Sequence, residues 1–379
     1  MSLTAFLNGR LLLEAGFETG KAVLVDDGRI AAVVAAADVP AAAHRFDLDG
    51  AMLVPGFIDV QVNGGGGALF NDAPTVETIA TIGAAHRRFG TTGFLPTLIS
   101  DDLSVMREAV RAVDAAIEAG VPGVLGIHIE GPYLNSSRKG IHDSSKLREL
   151  DDEGFETLTG LKRGRTLVTL APERTTPAMI RRLVEAGVIV SAGHTNGRYT
   201  EIRAALDAGL TGFTHLFNAM SPLKSREPGA VGAALEDDAS WCGLIVDGRH
   251  IHPVTMQLGL RCKPIERFML VTDAMPSVGM ADKTFMLQGQ PIRVEDGVCV
   301  NADGTLAGSD LDMALAVRNA IAMLRVAPET ALRMASRYPA DFLRLSGETG
   351  RIAPGAWADL AALDSAFEVT ATWIRGEPV

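Results

Sequence analysis

Two patterns of hydrophobic and polar positions follow one another along the chain. Between residues 5 and 34, short apolar runs alternate with turn dipeptides such as Asn8-Gly9. Short runs divided in this way predict β-hairpins. From Pro55 onward, apolar runs of strand length alternate with amphipathic stretches of about 10–15 residues, which is the pattern of a parallel sheet with crossover helices.

Eight of the later apolar runs have the length and composition of buried strands. They are residues 56–63, 92–97, 124–130, 166–171, 188–194, 212–218, 241–247 and 268–273. Helices are predicted after most of them, over residues 103–119, 177–186, 199–208 and 254–261. Asp101 and Asp102 are the predicted cap of the first helix. Eight β/α units within about 290 residues predict a closed (β/α)8 barrel of the TIM type, which is an α/β fold.

The ends of the chain predict a second, smaller domain. A hairpin-like insertion is expected over residues 284–300, and helices over 310–324 and 328–345 close the barrel. The tail then returns to short strands that resemble the opening segment. The predicted domains are a small β-sandwich, residues 1–53 plus 347–379, and the barrel, residues 54–346.

Composition narrows the classes of partner and compartment. The chain has 35 Lys+Arg against 46 Asp+Glu, a net charge of −11, and 47% hydrophobic residues, as in an ordinary soluble globular protein. This negative charge, with no basic tail, disfavours binding to nucleic acid or to an anionic membrane. The start of the chain lacks a leader pattern, no apolar run reaches about 18 residues, and the three cysteines are widely spaced. We therefore expect a cytoplasmic protein without a disulfide framework or a thiolate zinc site.

Candidate chemistry lies at the C-terminal ends of the predicted strands, where barrels of this type carry their reactive groups. Glu130, His194 and His215 offer one oxygen and two nitrogen ligands, the set that catalytic zinc or iron uses when a position must stay open for water. Asp273, on another strand, can act on that water, and His128 is expected to support Glu130. A single histidine at a strand end more often bonds to the backbone than to a metal. Here two histidines and two carboxylates all fall at independently predicted strand ends, and this coincidence favours a metal site.

Several motifs carry a family resemblance. They are Pro55-Gly56-Phe57-Ile58-Asp59, His128-Ile129-Glu130-Gly131-Pro132, Lys139-Gly140-Ile141-His142, Gly193-His194-Thr195-Asn196, Thr214-His215-Leu216-Phe217-Asn218-Ala219-Met220, Arg226-Glu227-Pro228-Gly229, Asp247-Gly248-Arg249-His250 and Val271-Thr272-Asp273-Ala274. In these motifs the chain resembles the amidohydrolase superfamily and, within it, the family of N-acetylglucosamine-6-phosphate deacetylases. The resemblance implies hydrolysis of the acetamide of N-acetylglucosamine 6-phosphate to glucosamine 6-phosphate and acetate, with Asp273 as the general acid and base.

Two departures from the superfamily pattern bear on the number of metal ions. Many amidohydrolases carry His-x-His at the end of the first strand, whereas this chain has Gln61 and Asn63 there. Members with two bridged metals often take a lysine from the fourth strand, and residues 166–171 contain none. The resemblance therefore implies one divalent ion per subunit, zinc or alternatively iron, held by Glu130, His194 and His215.

The resemblance also implies roles for residues around the substrate. His142 is expected to stabilise the developing oxyanion, and His250 to contact the sugar phosphate, in a homodimer where it can serve the neighbouring subunit's site. The remaining implied substrate-binding residues are Ile141, Asn218, Ala219, Arg226, Leu306, Ala307 and Gly308. Arg226 suits phosphate because its forked guanidinium matches phosphate oxygens, and Leu306 is expected to pack on the acetyl methyl group.

Three readings of the function remain open from the sequence. The first is the deacetylase. The second is another amidohydrolase, acting on a different N-acyl sugar or as a cyclic-amide hydrolase or deaminase, which Gln61, Asn63 and the missing lysine disfavour. The third is a non-catalytic barrel kept as an assembly protein, in which loss of metal ligands or of Asp273 would be expected.

Overall fold

The N-terminal segment is built from short strands that form two sheets. The computed structural model describes residues 3–379, so Met1 and Ser2, which belong to the predicted small domain, lie outside the described residues. The strands are β1 (Thr4–Leu7), β2 (Arg10–Leu13), β3 (Gly16–Glu18), β4 (Lys21–Asp26), β5 (Arg29–Ala35), β6 (His44–Asp47) and β7 (Met52–Pro55). Strands β5, β4, β1 and β6 form a four-stranded sheet in that order, while β2, β3 and β7 join a second sheet.

The predicted barrel is confirmed, with all eight strands parallel and in chain order. After β8 (Phe57–Val62), the short pair β9 (Gly64–Gly65) and β10 (Ala68–Leu69) lies beyond the strand end. The other barrel strands are β11 (Thr91–Ile99), β12 (Gly126–Glu130), β13 (Arg165–Leu170), β14 (Ile189–Ala192), β15 (Gly212–Phe213), β16 (Trp241–Leu244) and β17 (Phe268–Leu270). The ring closes where Asp273 N donates to Gln61 O at 3.0 Å.

Helices pack around the barrel and cover its apolar strands. They are α1 (Val76–Arg87), α2 (Leu103–Glu118), α3 (Asp152–Leu158), α4 (Pro177–Glu185), α5 (Tyr199–Asp207), α6 (Gly229–Glu236), α7 (Pro253–Gly259), α8 (Met313–Asn319), α9 (Pro328–Met334) and α10 (Arg337–Phe342). Buried side chains from helices and strands merge into one large hydrophobic core. No helix within residues 3–379 combines the length and the apolar character that crossing a bilayer requires.

Two local predictions about the helices are wrong. Asp102 precedes α2 but makes no capping bond, because its carboxylate pairs with Lys146 instead. The single helix expected over residues 328–345 is two helices, α9 and α10. Pro339 explains the break, since it has no N–H to bond the carbonyl of Ala335 in a continuous helix. That carbonyl accepts the Ile58 N–H of β8 at 2.8 Å instead.

The last strands complete an insertion and the small domain. Strands β18 (Thr284–Leu287), β19 (Gln290–Glu295), β20 (Val298–Val300) and β21 (Leu306–Ser309) form an antiparallel sheet. The first three lie within the predicted insertion, residues 284–300, and β21 adds a fourth strand beyond it. In the tail, β22 (Leu360–Leu363), β23 (Val369–Ile374) and β24 (Glu377–Pro378) extend the second terminal sheet in the order β24-β23-β22-β7-β2-β3. A β domain assembled from both termini is therefore confirmed, while its exact limits stay a prediction.

An aromatic cluster between the two terminal sheets provides a test of how the small domain is held together. Trp373 on β23 is 3% exposed, and its ring meets those of Phe6 and Phe46 edge-on at 5.0 Å. We expect Trp373→Ala to lower the free energy of unfolding by about 3–5 kcal/mol, because it leaves a large cavity. Urea denaturation measures the change. Thr370→Ala, on an exposed face of the same strand, is the control and should cost much less; equal losses would contradict a packing role for Trp373.

Candidate active site

Three of the four predicted site residues lie where the chain leaves a barrel strand with left-handed backbone. The φ angle is +47° at His194, +34° at His215 and +53° at Asp273. Non-glycine residues seldom adopt this conformation, which costs about 1–3 kcal/mol and is concentrated at functional sites. Strands β14, β15 and β17 end before the predicted strand limits, with one or two residues between each strand end and the turn.

Glu130, His194 and His215 meet at one point at the C-terminal end of the barrel. Glu130 Oε1 lies 3.1 Å from His194 Nε2 and 2.9 Å from His215 Nε2, and the two nitrogens are 3.1 Å apart. All three residues are buried. Ligand atoms that share one ion at about 2.0–2.2 Å each lie about 3–3.5 Å from one another. The observed spacing therefore suits a single cation.

The hydrogen bond on the far side of His194 strengthens this assignment. His194 Nδ1 lies 2.8 Å from the carbonyl oxygen of Arg138. A carbonyl only accepts, so Nδ1 carries the proton and Nε2 of the neutral ring presents a lone pair. That lone pair faces a carboxylate oxygen and a second imidazole nitrogen. Such a convergence of electron pairs is repulsive without a positive charge at its centre, and the donor set thus fits a divalent metal ion.

Interactions within the cluster lower the pKa of Glu130 and raise the pKa of His215. Burial alone would raise the pKa of Glu130, but without a metal ion its hydrogen bonds to His194 and His215, and the charges that those rings then carry, hold that pKa well below its ordinary value. Burial alone would lower the pKa of His215, but its bond to Glu130 outweighs burial and raises it. Glu130 is therefore ionised and available as a ligand at neutral pH.

Gln61 and Asn63 donate hydrogen bonds to the carboxylates of Glu130 and Asp273. Gln61 Nε2 donates to Glu130 Oε2 at 3.1 Å and to Asp273 Oδ1 at 3.2 Å, and Asn63 Nδ2 donates to Asp273 Oδ1 at 2.7 Å. Oδ1 of Asp273 is thus fixed, which leaves Oδ2 for the reaction. Burial and the negative charge of Glu130 raise the pKa of Asp273 to about 6. A carboxyl group with this pKa can both accept and return a proton near neutrality.

A cavity of about 330 Å³ opens over the cluster. The predicted site residues that line it are Glu130, Ile141, His142, His194, His215, Asn218, Ala219, His250, Asp273, Leu306, Ala307 and Gly308. Arg226 does not line it, and its side chain is exposed in the loop before α6. Arg138, which the sequence did not single out, is the arginine that does line the cavity.

His250 and the loop residues Asn218 and Ala219 line part of the cavity. His250 Nδ1 lies 2.5 Å from Asp247 Oδ2, and both side chains are 5% exposed. Burial opposes ionisation of Asp247, but the hydrogen bond and charge of His250 keep the pKa of Asp247 below its ordinary value. Asn218 Nδ2 donates to the carbonyl of His215 at 3.2 Å, which shapes the loop rather than reaching outward.

The insertion sheet forms an apolar wall of the cavity. On β21, Ala307 is 1% exposed and packs with Met275 and Leu287, whereas Leu306 remains 37% exposed. Ile141 packs partly against the same cluster. This wall can hold a small apolar group beside polar ones.

Two further histidines lie near the cluster in different surroundings. The ring of His142 meets that of His194 at a centroid distance of 4.5 Å, and its Nδ1 lies 2.8 Å from Ser100 Oγ. Burial, with the charge of His194, lowers the pKa of His142 to about 3. His128 instead bonds Thr97 and Thr169 through its two ring nitrogens, inside the barrel, so its support of Glu130 is indirect.

Sequence reasoning missed Ser100 and the bonding role of Gln61 and Asn63. A signal for Ser100 existed, because it directly follows β11, and the strand-end rule that selected Glu130 applies to it equally. The amides of Gln61 and Asn63 were recognised only as poor replacements for metal ligands. Their partners depend on how β8 and β17 meet when the barrel closes.

Comparison with known proteins agrees with the fold. The model of the amidohydrolase family matches residues 52–379. The chain is 43% identical to an N-acetylgalactosamine-6-phosphate deacetylase of Shewanella sp. (strain ANA-3), over 97% of this chain and 94% of the relative. It is 34% identical to an N-acetylglucosamine-6-phosphate deacetylase of Haemophilus influenzae, over 94% of each chain. The crystal structure of N-acetylglucosamine-6-phosphate deacetylase from Pasteurella multocida superposes with a TM-score of 0.96 at 35% identity, covering 100% of this chain and 99% of that one.

Proposed function

Because the chain belongs to the amidohydrolase family, we propose that it hydrolyses the acetamide of N-acetylglucosamine 6-phosphate. The products are glucosamine 6-phosphate and acetate. The observation that carries the proposal is the Glu130, His194 and His215 cluster with Asp273 beside it, in a cavity with one apolar wall. The relatives are named for N-acetylglucosamine 6-phosphate or for its C4 epimer, and they support a phosphorylated N-acetyl sugar as the substrate. A non-catalytic role is disfavoured, since the metal ligands and the acid/base are all present.

The proposed mechanism divides the work between the cluster and two neighbouring residues. A divalent ion held by Glu130, His194 and His215 would polarise the amide carbonyl and lower the pKa of a water molecule. Asp273, anchored through Oδ1 by Asn63 and Gln61, takes the proton of the attacking water on Oδ2. The same carboxyl group then protonates the departing nitrogen, without which amide cleavage stalls. His142 donates a hydrogen bond to the carbonyl oxygen as negative charge develops there.

We further propose one zinc ion per subunit, with iron as the alternative, and a cytoplasmic enzyme of amino-sugar catabolism. Two imidazoles and one carboxylate suit either metal. The amide nitrogens of Gln61 and Asn63 donate hydrogen bonds to carboxylates, and neutral amides are poor substitutes for the imidazoles that would hold a second ion.

The phosphate is proposed to bind at the end of the cavity that carries His250 and the backbone amide of Ala219. The sequence predicts a homodimer in which His250 can serve the neighbouring subunit's site. We propose instead that Arg226 is the residue supplied to the neighbouring site. His250 lines the cavity of its own chain, whereas Arg226 is exposed outside it. Leu223, three residues before Arg226, is 59% exposed, and Val254 and Leu258 on α7 are 53% and 55% exposed. A dimer contact would cover such apolar side chains.

We expect Arg226→Ala to lower kcat/KM for N-acetylglucosamine 6-phosphate well over tenfold. In the proposed dimer Arg226 and the substrate phosphate form a buried charge pair, and losing one partner of such a pair costs about 2–5 kcal/mol. The low activity on unphosphorylated N-acetylglucosamine should hardly change. Arg138→Ala is the comparison, since Arg138 lines the cavity. If only Arg138→Ala selectively reduces activity on the phosphorylated sugar, Arg226 is a surface residue and the proposed exchange is wrong.

Acetate release from four sugars tests the function: N-acetylglucosamine 6-phosphate, its C4 epimer N-acetylgalactosamine 6-phosphate, and both unphosphorylated sugars, each with and without chelator. We expect phosphate-dependent release that chelator abolishes and a divalent ion restores. The epimer is included because the Shewanella relative is named for it. A higher kcat/KM for the epimer would assign this chain to the galactosamine substrate, and no release from either phosphorylated sugar would refute the proposal.

A further inference from the structure

Ser100 is the partner of His142, a residue to which the proposed mechanism assigns a hydrogen bond. It follows β11 directly and is 1% exposed. Its hydroxyl oxygen lies 2.8 Å from His142 Nδ1, and its backbone nitrogen lies 3.3 Å from the same atom. His142 is also held from its own loop, where Lys139 Nζ donates to the carbonyl of His142 at 3.1 Å. Both the ring and the backbone of His142 are therefore fixed.

The backbone contact determines which ring nitrogen carries the proton. An amide N–H can only donate, so Nδ1 of His142 must accept and cannot be protonated. The Ser100 hydroxyl, at hydrogen-bond distance from the same lone pair, must then donate as well. A neutral imidazole has one proton, which leaves it on Nε2. The geometry thus excludes both the other tautomer and the doubly protonated ring.

The nitrogen that carries the proton is the one left free for a substrate. His142 lines the cavity, and its Nε2 has no hydrogen-bond partner within residues 3–379. A donor that is fixed before the substrate binds needs no rearrangement when charge develops on the carbonyl oxygen. With the other tautomer, the same nitrogen would present a lone pair to that oxygen and repel it.

We propose that Ser100 is a positioning residue, which holds His142 in the tautomer protonated on Nε2 and so presents one N–H to the acetamide oxygen. The inference rests on the proposed function for its consequence in catalysis, but not for the tautomer. Ser100 itself does not touch the substrate.

Nitrogen NMR tests the tautomer without any assay of activity. The purified, metal-loaded protein is labelled with 15N-histidine, and the ring nitrogens of His142 are assigned by their loss in His142→Gln. We expect the protonated signal on Nε2 and the unprotonated signal on Nδ1. A proton on Nδ1, or on both nitrogens, would overturn the proposal whether or not the protein releases acetate.

Kinetics of Ser100→Ala test the consequence. The backbone N–H at 3.3 Å remains and still requires an unprotonated Nδ1, so we expect the tautomer to persist. Loss of the shorter bond from the hydroxyl should hold the ring less firmly, shift the Nδ1 signal and lower kcat about three- to tenfold, the effect of one neutral hydrogen bond. KM should change little. Ser336→Ala is the matched control, because Ser336 is 0% exposed and its hydroxyl makes one bond, of 2.7 Å, to the carbonyl of Leu332 far from the site.

The two measurements separate the ways in which the proposal can fail. Unchanged kcat and an unchanged ring spectrum in Ser100→Ala would overturn the role of the hydroxyl. Equal losses of kcat in Ser100→Ala and Ser336→Ala would show a general effect on stability instead. If wild-type protein has the expected tautomer but releases no acetate from any sugar, the proposed function fails while the assignment of the ring proton stands.

Discussion

Asp273→Asn should fold and retain its metal, yet lose about 10²–10⁴-fold in kcat, which is the contribution of a positioned general acid and base. The expected retention of structure follows from the bonds to Oδ1. An asparagine oxygen in that place still accepts from Asn63 at 2.7 Å and from Gln61 at 3.2 Å. The amide nitrogen that replaces Oδ2 can neither take the proton of water nor return it to the leaving nitrogen. Acetate release and elemental analysis measure the two halves of the prediction.

Asp359→Asn provides a matched control for the loss of a buried carboxylate. Asp359 accepts from the Arg375 amide at 2.9 Å and from the Thr349 hydroxyl at 3.0 Å, in the small domain at the opposite end of the barrel. We expect it to keep near-native kcat. If Asp273→Asn also retained near-native turnover, Asp273 would be removed from the mechanism, and another group would have to act as the base.

The pH dependence should reflect the same carboxyl group. Burial and the charge of Glu130 raise the pKa of Asp273 to about 6, and the group must be ionised to accept a proton from water. A bound cation opposes this shift because it favours the carboxylate. The acidic limb of kcat/KM therefore belongs to Asp273 and should lie at or below about pH 6, and it should be absent from the residual activity of Asp273→Asn.

The eight barrel strands were predictable because each is buried on both faces and reads as a continuous apolar run. The proposed ligands followed from the rule that strand ends carry the chemistry. What pattern reasoning placed wrongly were the strand limits at His194, His215 and Asp273. There the chain turns with positive φ, and the strands end at Ala192, Phe213 and Leu270, before these turns. Hydrophobicity reports burial, and it does not report the backbone turn that a functional residue imposes.

Contacts across the closed ring were not predictable in the same way. Gln61 and Asp273 are remote in sequence and become neighbours only when β8 meets the chain after β17. For Arg226 the sequence predicted a contact that the single chain does not show. Its motif predicts phosphate binding, but within one chain Arg226 lies outside the cavity. A sequence motif identifies the residue type that a ligand needs, but the subunit whose site it completes is a property of the assembly.

Glu130→Gln should abolish metal binding and with it nearly all activity, because a neutral amide replaces the one anionic ligand between two imidazoles. Removing only a hydrogen-bond partner of a metal ligand typically lowers metal affinity or activity by roughly 10–100-fold. The loss of activity expected on replacing the ligand itself is larger. Elemental analysis should find one ion per chain in the wild type and almost none in the variant. Glu236→Gln is the control, since Glu236 lies on the surface near Tyr199 and Arg203 and should keep both metal and turnover. Two tightly bound ions in the wild type would contradict the single site inferred from Gln61 and Asn63, and an unchanged ion content in Glu130→Gln would place the metal elsewhere.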